Sequence, residues 1–285
     1  MIGQKRLLDE LDSLKTLPRT MIISGSRGSG KKLIAKKIAE KLDAEMIMCD
    51  GKVDTVREVT ELAYKLVDNI MYVFPNVENM STAAKNALLK ITEEPPNKSY
   101  FVLTTTDLSQ VLDTIKSRAV IFFIDTYSQL EIEEYIDLKY SVNEIDKEYI
   151  SAVCSVPGQV DLLMQYNISE FADFINLVIN NIFEVNIANA FKISNRLQLK
   201  QDDDGYDLVL FFRALQHEVV ADLKAVAMNV SKNYTKDEVR AKARFVEATT
   251  EAIIELSYIS FNKQSIFDSW LLKIREIHDK YRAEE

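Results

Sequence analysis

The chain has 285 residues, of which 47% are hydrophobic and 28% charged. That is enough to bury a sizeable core in two domains, or three small ones, at roughly 100–200 residues each. Seven glycines and five prolines argue against long flexible linkers and a turn-dense all-β fold, and a formal charge of −9 argues against a large stand-alone nucleic-acid surface, which would be basic. A local basic strip inside an assembly stays compatible with that charge, and protein partners are expected to dominate the surface. Cys49 and Cys154 are the only cysteines. They rule out a disulfide framework and a four-cysteine zinc site, and each is expected to act as a small buried hydrophobe. No run of 18 apolar residues is present, and Met1–Arg6 leads directly into an amphipathic pattern without a signal-peptide core. The expectation is a cytoplasmic protein without a membrane span.

In chain order, Leu7, Leu8, Leu11 and Leu14 recur at helical spacing, and Leu17-Pro18 closes that helix. Thr20–Ser24 is a short apolar run that predicts a buried strand. Gly25–Gly30 is a glycine-rich loop, and Lys31–Leu42 a helix with Ile34, Ala35, Ile38, Ala39 and Leu42 on one face. A second strand is expected over Glu45–Cys49, then a helix N-capped by Asp54 and reaching about Val67. Ile70–Phe74 predicts a third strand, stopped by Pro75. Ser81–Glu94 predicts a helix that Pro95-Pro96 must end. On it, Lys90 and Glu94 are spaced for an i,i+4 pair. Tyr100–Thr104 and Val120–Ile124 complete five strands. They are continuous apolar runs alternating with helices, which predicts a parallel sheet covered on both faces. After Asp125 the pattern is helical only: Gln129–Leu138, Asp146–Cys154, then longer helices from Ser169 onward, with Gln201–Gly205 as a loop.

Gly25-Ser26-Arg27-Gly28-Ser29-Gly30-Lys31 follows a strand and opens a helix, the context in which a phosphate-binding loop is meaningful. Its glycines let backbone N–H groups curve around phosphate oxygens, the helix N-terminus adds partial positive charge, and Lys31 can reach the terminal phosphates. The next residue should be Ser or Thr, whose hydroxyl ligates magnesium; here it is Lys32, which has donors and no acceptor. The third strand should end in an acidic pair, but Pro75 and Asn76 stand there. Two metal ligands and the residue that activates water are therefore lacking together, which predicts a site without hydrolysis. Glu78 falls beyond the strand end and is not taken as a substitute base. For Lys32 two readings stay open: it replaces the metal beside a bound phosphate, or it points to solvent.

From the first helix to Ile124 the sequence resembles the AAA+ domain of bacterial DNA polymerase III gamma and delta-prime subunits, the clamp-loader family. The segment Met80–Pro96, the strand Phe101–Thr106 and the run Leu112–Ala119 with its Ser117-Arg118 pair carry the resemblance. Asp113 and Ala119 depart from the family pattern. Val156–Leu163 resembles the start of the family's sensor-2 helix, with Asp161 where an arginine is usual. Phe261–Gln264 with Trp270–Ile274, and more loosely Phe211–Leu215, resemble its collar helices.

The resemblance implies an AAA+ domain over 1–125, a helical lid over 126–167 and a helical collar over 168–285. It implies that Arg118 points across a subunit interface at a neighbour's ATP, that Thr105 occupies the sensor-1 position, and that Gly25, Gly28, Ser29, Gly30, Lys31 and Lys32 form a degenerate nucleotide or phosphate site. Implied partners are gamma or tau and delta subunits, a sliding clamp, and primed DNA through the assembled ring. No cofactor is required, and the family's four-cysteine zinc module is not expected. The reading is a delta-prime-like subunit without its own hydrolysis. Two alternatives stand beside it: a gamma-like ATPase with an atypical metal site, and a stand-alone AAA+-derived adaptor.

Overall fold

The computed structural model describes residues 2–65, 69–96, 98–181, 187–199, 205–228, 234–257 and 262–282. The expected helix end near Val67, most of the 201–205 loop and Phe261 lie outside them. The chain divides into two compact units, one of Met1–Tyr135 with Val156–Gly158, the other of Ile136–Ser155 with Gln159–Glu285.

The first unit is a five-stranded, wholly parallel sheet. Its strands are β1 (Thr20–Ser24), β2 (Glu45–Met48), β3 (Ile70–Phe74), β4 (Ser99–Thr105) and β5 (Val120–Phe123), in the order β2-β3-β4-β1-β5. Side chains alternate across the pleat, and in the central strands both faces are buried. Ile22, Tyr72, Phe74, Phe101 and Leu103 face one layer, which is built from α3 (Val53–Lys65), α4 (Thr82–Glu93) and α5 (Asp113–Lys116) through Val56, Val59, Ala84, Leu88, Ile91 and Ile115. Met21, Ile23, Met71, Val73, Val102 and Phe122 face the other layer. There Leu7 and Leu11 of α1 (Lys5–Ser13) and Ile34, Ala35 and Ile38 of α2 (Lys31–Leu42) cover them. Cys49 and Cys154 are buried, each in its own unit, and burial raises their thiols to about 11 and about 12, as expected of small hydrophobes.

Two local expectations differ from the structure. Asp54 lies inside the first turn of α3 rather than before it, so it cannot cap. Asp50 supplies the carboxylate instead: it accepts the Lys52 amide at 3.0 Å, and bonds from Thr55 and Lys52 hold it down at about 2. Glu94 is the C-cap of α4, with φ −128°, and no ion pair joins it to Lys90 among the described residues. Glu93, still helical, pairs with Arg118 at 3.1 Å. At the other end of α4, Ser81 caps through its hydroxyl, which accepts the Ala84 amide at 3.2 Å.

The helices α6 (Gln129–Lys139), α7 (Glu144–Val153), α8 (Pro157–Leu163), α9 (Ile168–Asn181), α10 (Ile187–Ser194), α11 (Leu208–Ala227), α12 (Lys236–Ser257) and α13 (Lys263–Arg282) make up the rest. In the second unit α11 packs on α12 and α12 on α13. Their centre is aromatic: Trp270 lies against Phe211, Phe212, Phe245 and Phe267, with ring centroids 5.0–6.0 Å away. Its indole N–H donates to the buried Thr249 hydroxyl at 3.1 Å. Among the described residues no helix is long and apolar enough to cross a membrane.

Candidate functional site

The glycine loop joins β1 to α2 at the carboxyl edge of the sheet, where ligands of open α/β folds bind. After β1 the chain crosses to the β2 edge and returns through β3 to β4, which lies beside β1, before β5 adds on the other flank. The ends of β3 and β4 are thereby brought next to the loop. The Gly25 amide donates to the Thr105 carbonyl at 3.1 Å, tying loop and β4 together.

Within the loop Gly28 and Gly30 have φ of +80° and +97°, a region that glycine enters without strain. Gly28 is also crowded. Its carbonyl accepts the Gly158 amide at 3.0 Å, and a Cβ built on Gly158 would come within 2.5 Å of the Gly28 Cα. Both positions therefore exclude any side chain. The Ser29 carbonyl accepts the Tyr127 hydroxyl at 2.8 Å, while its own Oγ is buried without a partner.

Lys31 folds back onto the loop, donating to the Gly25 carbonyl at 2.6 Å and the Ser26 carbonyl at 2.8 Å. Burial lowers its ammonium to about 8, Glu78 opposes the shift and Arg27 adds to it. A Lys Nζ-detected NMR titration is expected to show one lysine titrating near pH 8, and that signal should vanish in Lys31→Ala. If every lysine titrates above 10, Lys31 is not desolvated in this way. Lys32 is exposed in the first turn of α2.

Thr105 is buried, and its hydroxyl is closed on its own loop: it donates to the Asp107 carbonyl at 2.9 Å and accepts the Asp107 amide at 3.1 Å. Asn76 is left-handed, with φ +51°, and its amide donates to the Thr104 hydroxyl at 3.2 Å. Pro75, Asn76 and Lys32 offer no anionic oxygen, so the magnesium–nucleotide pair implied by this fold class does not fit the residues expected to hold its metal.

Sequence reasoning passed over Glu78. It lies in the turn Val77–Asn79 after β3 and is only 6% exposed. Its Oε1 accepts the Thr106 amide at 3.0 Å and hydroxyl at 2.7 Å, whereas Oε2 is buried with no partner. A lone acidic residue past a strand end carries no sequence signal of burial; the contact with Thr106 comes from the β3–β4 pairing.

Arg118 follows α5 in the first unit, away from the glycine-loop hydrogen bonds. Its guanidinium holds the Thr114 carbonyl at 2.8 Å and Glu93 at 3.1 Å, and its side chain is 38% exposed. In the second unit Asp161 receives Lys139 at 2.8 Å and the Tyr140 hydroxyl at 2.9 Å.

The parallel sheet of this strand order, with a glycine loop opening α2, defines a P-loop α/β protein of the AAA+ type. The fold is shared with the Thermotoga maritima RuvB Holliday junction branch migration motor, with a TM-score of 0.50 and 18% identity over 81% of this chain and 83% of that chain. A DNA polymerase III gamma subunit-related protein from Thermotoga maritima also has a TM-score of 0.50, at 15% identity over 96% of this chain and 99% of that one. Residues 50–128 match the family described as DNA polymerase III, delta subunit. In sequence the chain is 29% identical over 189 residues to DNA polymerase III subunit gamma of Buchnera aphidicola (subsp. Schizaphis graminum), covering 54% of this chain and 52% of that protein. It is 32% identical over 107 residues to subunit delta' of the same organism, covering 36% and 31%. To Escherichia coli subunit tau it is 28% identical over 178 residues, covering 50% and 27%. These matches support a member of the bacterial DNA polymerase III clamp-loader family, related to its gamma subunits. The chain spans about half the length of the gamma relative and about a quarter of tau.

Proposed function

We propose that the chain is a non-hydrolysing, delta-prime-like subunit of the clamp loader. It assembles in the cytoplasm with gamma or tau and delta subunits, and the ring loads a sliding clamp on primed DNA. The helical region from about 168 holds it in that ring, the 126–167 region is its lid, and Arg118 is offered to a neighbour's ATP. The observation that carries this reading is the loss of all three hydrolytic roles together at Lys32, Pro75 and Asn76, around a glycine frame that is otherwise intact. Nucleotide or phosphate is not required for the role, and neither is zinc.

The gamma and tau relatives favour a second reading, a gamma-like ATPase with an atypical metal site. Two measurements separate them. The purified chain alone is expected to show no ATP turnover, and to co-purify with gamma or tau and delta subunits. Turnover that Lys31→Ala abolishes would refute the non-hydrolysing reading. Failure to join any ring would leave the stand-alone adaptor.

A further inference from the structure

Within the second unit, α7 and α11 pack on each other and leave a cavity of about 210 Å³, lined by Ala152, Arg213, Gln216, His217 and Val220. The four α11 residues are spaced i, i+3, i+4 and i+7, so one helical face presents them all. Phe211, Phe212 and Leu215 of the same helix are fully buried, which fixes its rotation. Arg213 is half-buried, and its Nε is closed off from water with no hydrogen-bond partner. Among the described residues no carboxylate pairs with it, neither Glu148 on α7 nor Glu218 on α11. Tyr149 stands edge-on to His217 with ring centroids 5.9 Å apart, and its hydroxyl is a second buried group without a partner. Gln216 gives one amide hydrogen to the Thr250 hydroxyl at 2.7 Å and keeps another. Side-chain donors thus outnumber acceptors here, and a guanidinium withdrawn from water without an anion costs stability. Burial pushes that guanidinium below its ordinary value, in keeping with a cation that has no counter-charge.

We propose that this cavity is a binding site for a small monocarboxylate, held by Arg213 with its short apolar stem against Ala152 and Val220. The ligand class follows from charge and size. A guanidinium meets the two oxygens of a carboxylate in a planar, bidentate fork. One arginine balances one negative charge. A phosphate dianion would bring a second with nothing to offset it, and Glu218, the residue after His217, would oppose it. The volume falls below the roughly 300–1,000 Å³ of pockets for drug-sized ligands, so the stem is short. The glycine loop belongs to the other unit, and the proposal stands whether or not that loop hydrolyses ATP.

The test is an NMR titration of the full chain with sodium butyrate, at an ionic strength held constant with sodium chloride. It follows the Arg213 Nε–H signal, assigned by its loss in Arg213→Met. Butyrate is expected to shift that signal saturably. Butyramide, which has the same stem and no charge, should not shift it. Inorganic phosphate should bind at least about ten-fold more weakly than butyrate, because its second charge is unpaired. Arg213→Met keeps the length of the side chain and loses the fork. Saturation transfer to the butyrate methyl should report about ten-fold weaker binding or more in that variant, the scale of a charge-assisted hydrogen bond. No saturable shift with butyrate overturns the proposal, and so does equal affinity in Arg213→Met. Phosphate binding as tightly as butyrate overturns the carboxylate class. If Arg213→Met does not fold, Val220→Phe fills the cavity and leaves Arg213 in place; it should abolish saturable binding, and unchanged affinity there overturns the proposal equally.

Discussion

In a ring reconstituted with this chain, Arg118→Ala is expected to lower the neighbouring subunit's ATP turnover by about 10³-fold or more, the range of arginine fingers supplied in trans. The argument is chemical and local. A guanidinium is always charged and meets phosphate oxygens in a planar fork, which neither Ala nor Lys reproduces. Arg118 is held in the present structure by one carbonyl and by a partly exposed ion pair to Glu93. Such exposed pairs contribute only about 0–1 kcal/mol, so the side chain can leave Glu93 for a better anion at little expense. For the same reason the variant should remain folded and assembled. Lys in place of Arg118 should recover only a small part of the rate. A ring with Arg118→Ala that hydrolyses ATP at the full rate would end the finger assignment.

Trp270→Ala is expected to destabilise the chain by about 3–5 kcal/mol, the range for removing a large aromatic side chain from a core. Trp270 is essentially inaccessible and touches four other aromatic rings, drawn from α11, α12 and α13. Its removal opens a cavity among rigid rings that cannot collapse, and it strips the indole donor from the buried Thr249. Urea unfolding followed by circular dichroism reads the shift in midpoint. Trp270→Phe keeps most of the ring volume and should cost less than Ala. A loss below about 1 kcal/mol for Ala would mean that the aromatic cluster is not the core of this unit.

Much of the first unit was legible from local pattern. The spans of β1, β3 and α2 match the predicted ones residue for residue, because each is bounded by a glycine, a proline or a sharp change of period. β2, β4 and β5 shift by a residue or two at their ends, where pairing with a neighbour rather than composition decides the last bond. The sequence pattern puts the cap of α3 at Asp54, whereas the carboxylate that supports the helix start is Asp50. Both residues are acidic and lie within a few positions of the helix start, and only the chain path shows which one faces a free amide. The Lys90–Glu94 pair failed because the helix ends at Glu94, so ideal i,i+4 geometry is lost at the frayed turn that Pro95 imposes.

At the site the division is sharper. By itself the sequence determined which groups are present: the glycine frame, Lys31, the absent hydroxyl at Lys32 and the absent acids at Pro75 and Asn76. These are statements of covalent chemistry, and no fold can supply an oxygen that the residues lack. Only the tertiary structure decided which groups meet. It closed the Thr105 hydroxyl on Asp107, brought Gly158 against Gly28, and placed Glu78 on Thr106 with one oxygen buried and unpaired. Thr106 and Glu78 are 28 residues apart and come together because β3 and β4 pair in parallel, so that both chain ends emerge at one edge. Hydrophobic periodicity predicts that such strands exist. It carries no record of which two will be neighbours, and the burial of a charge at their ends is a property of the pairing.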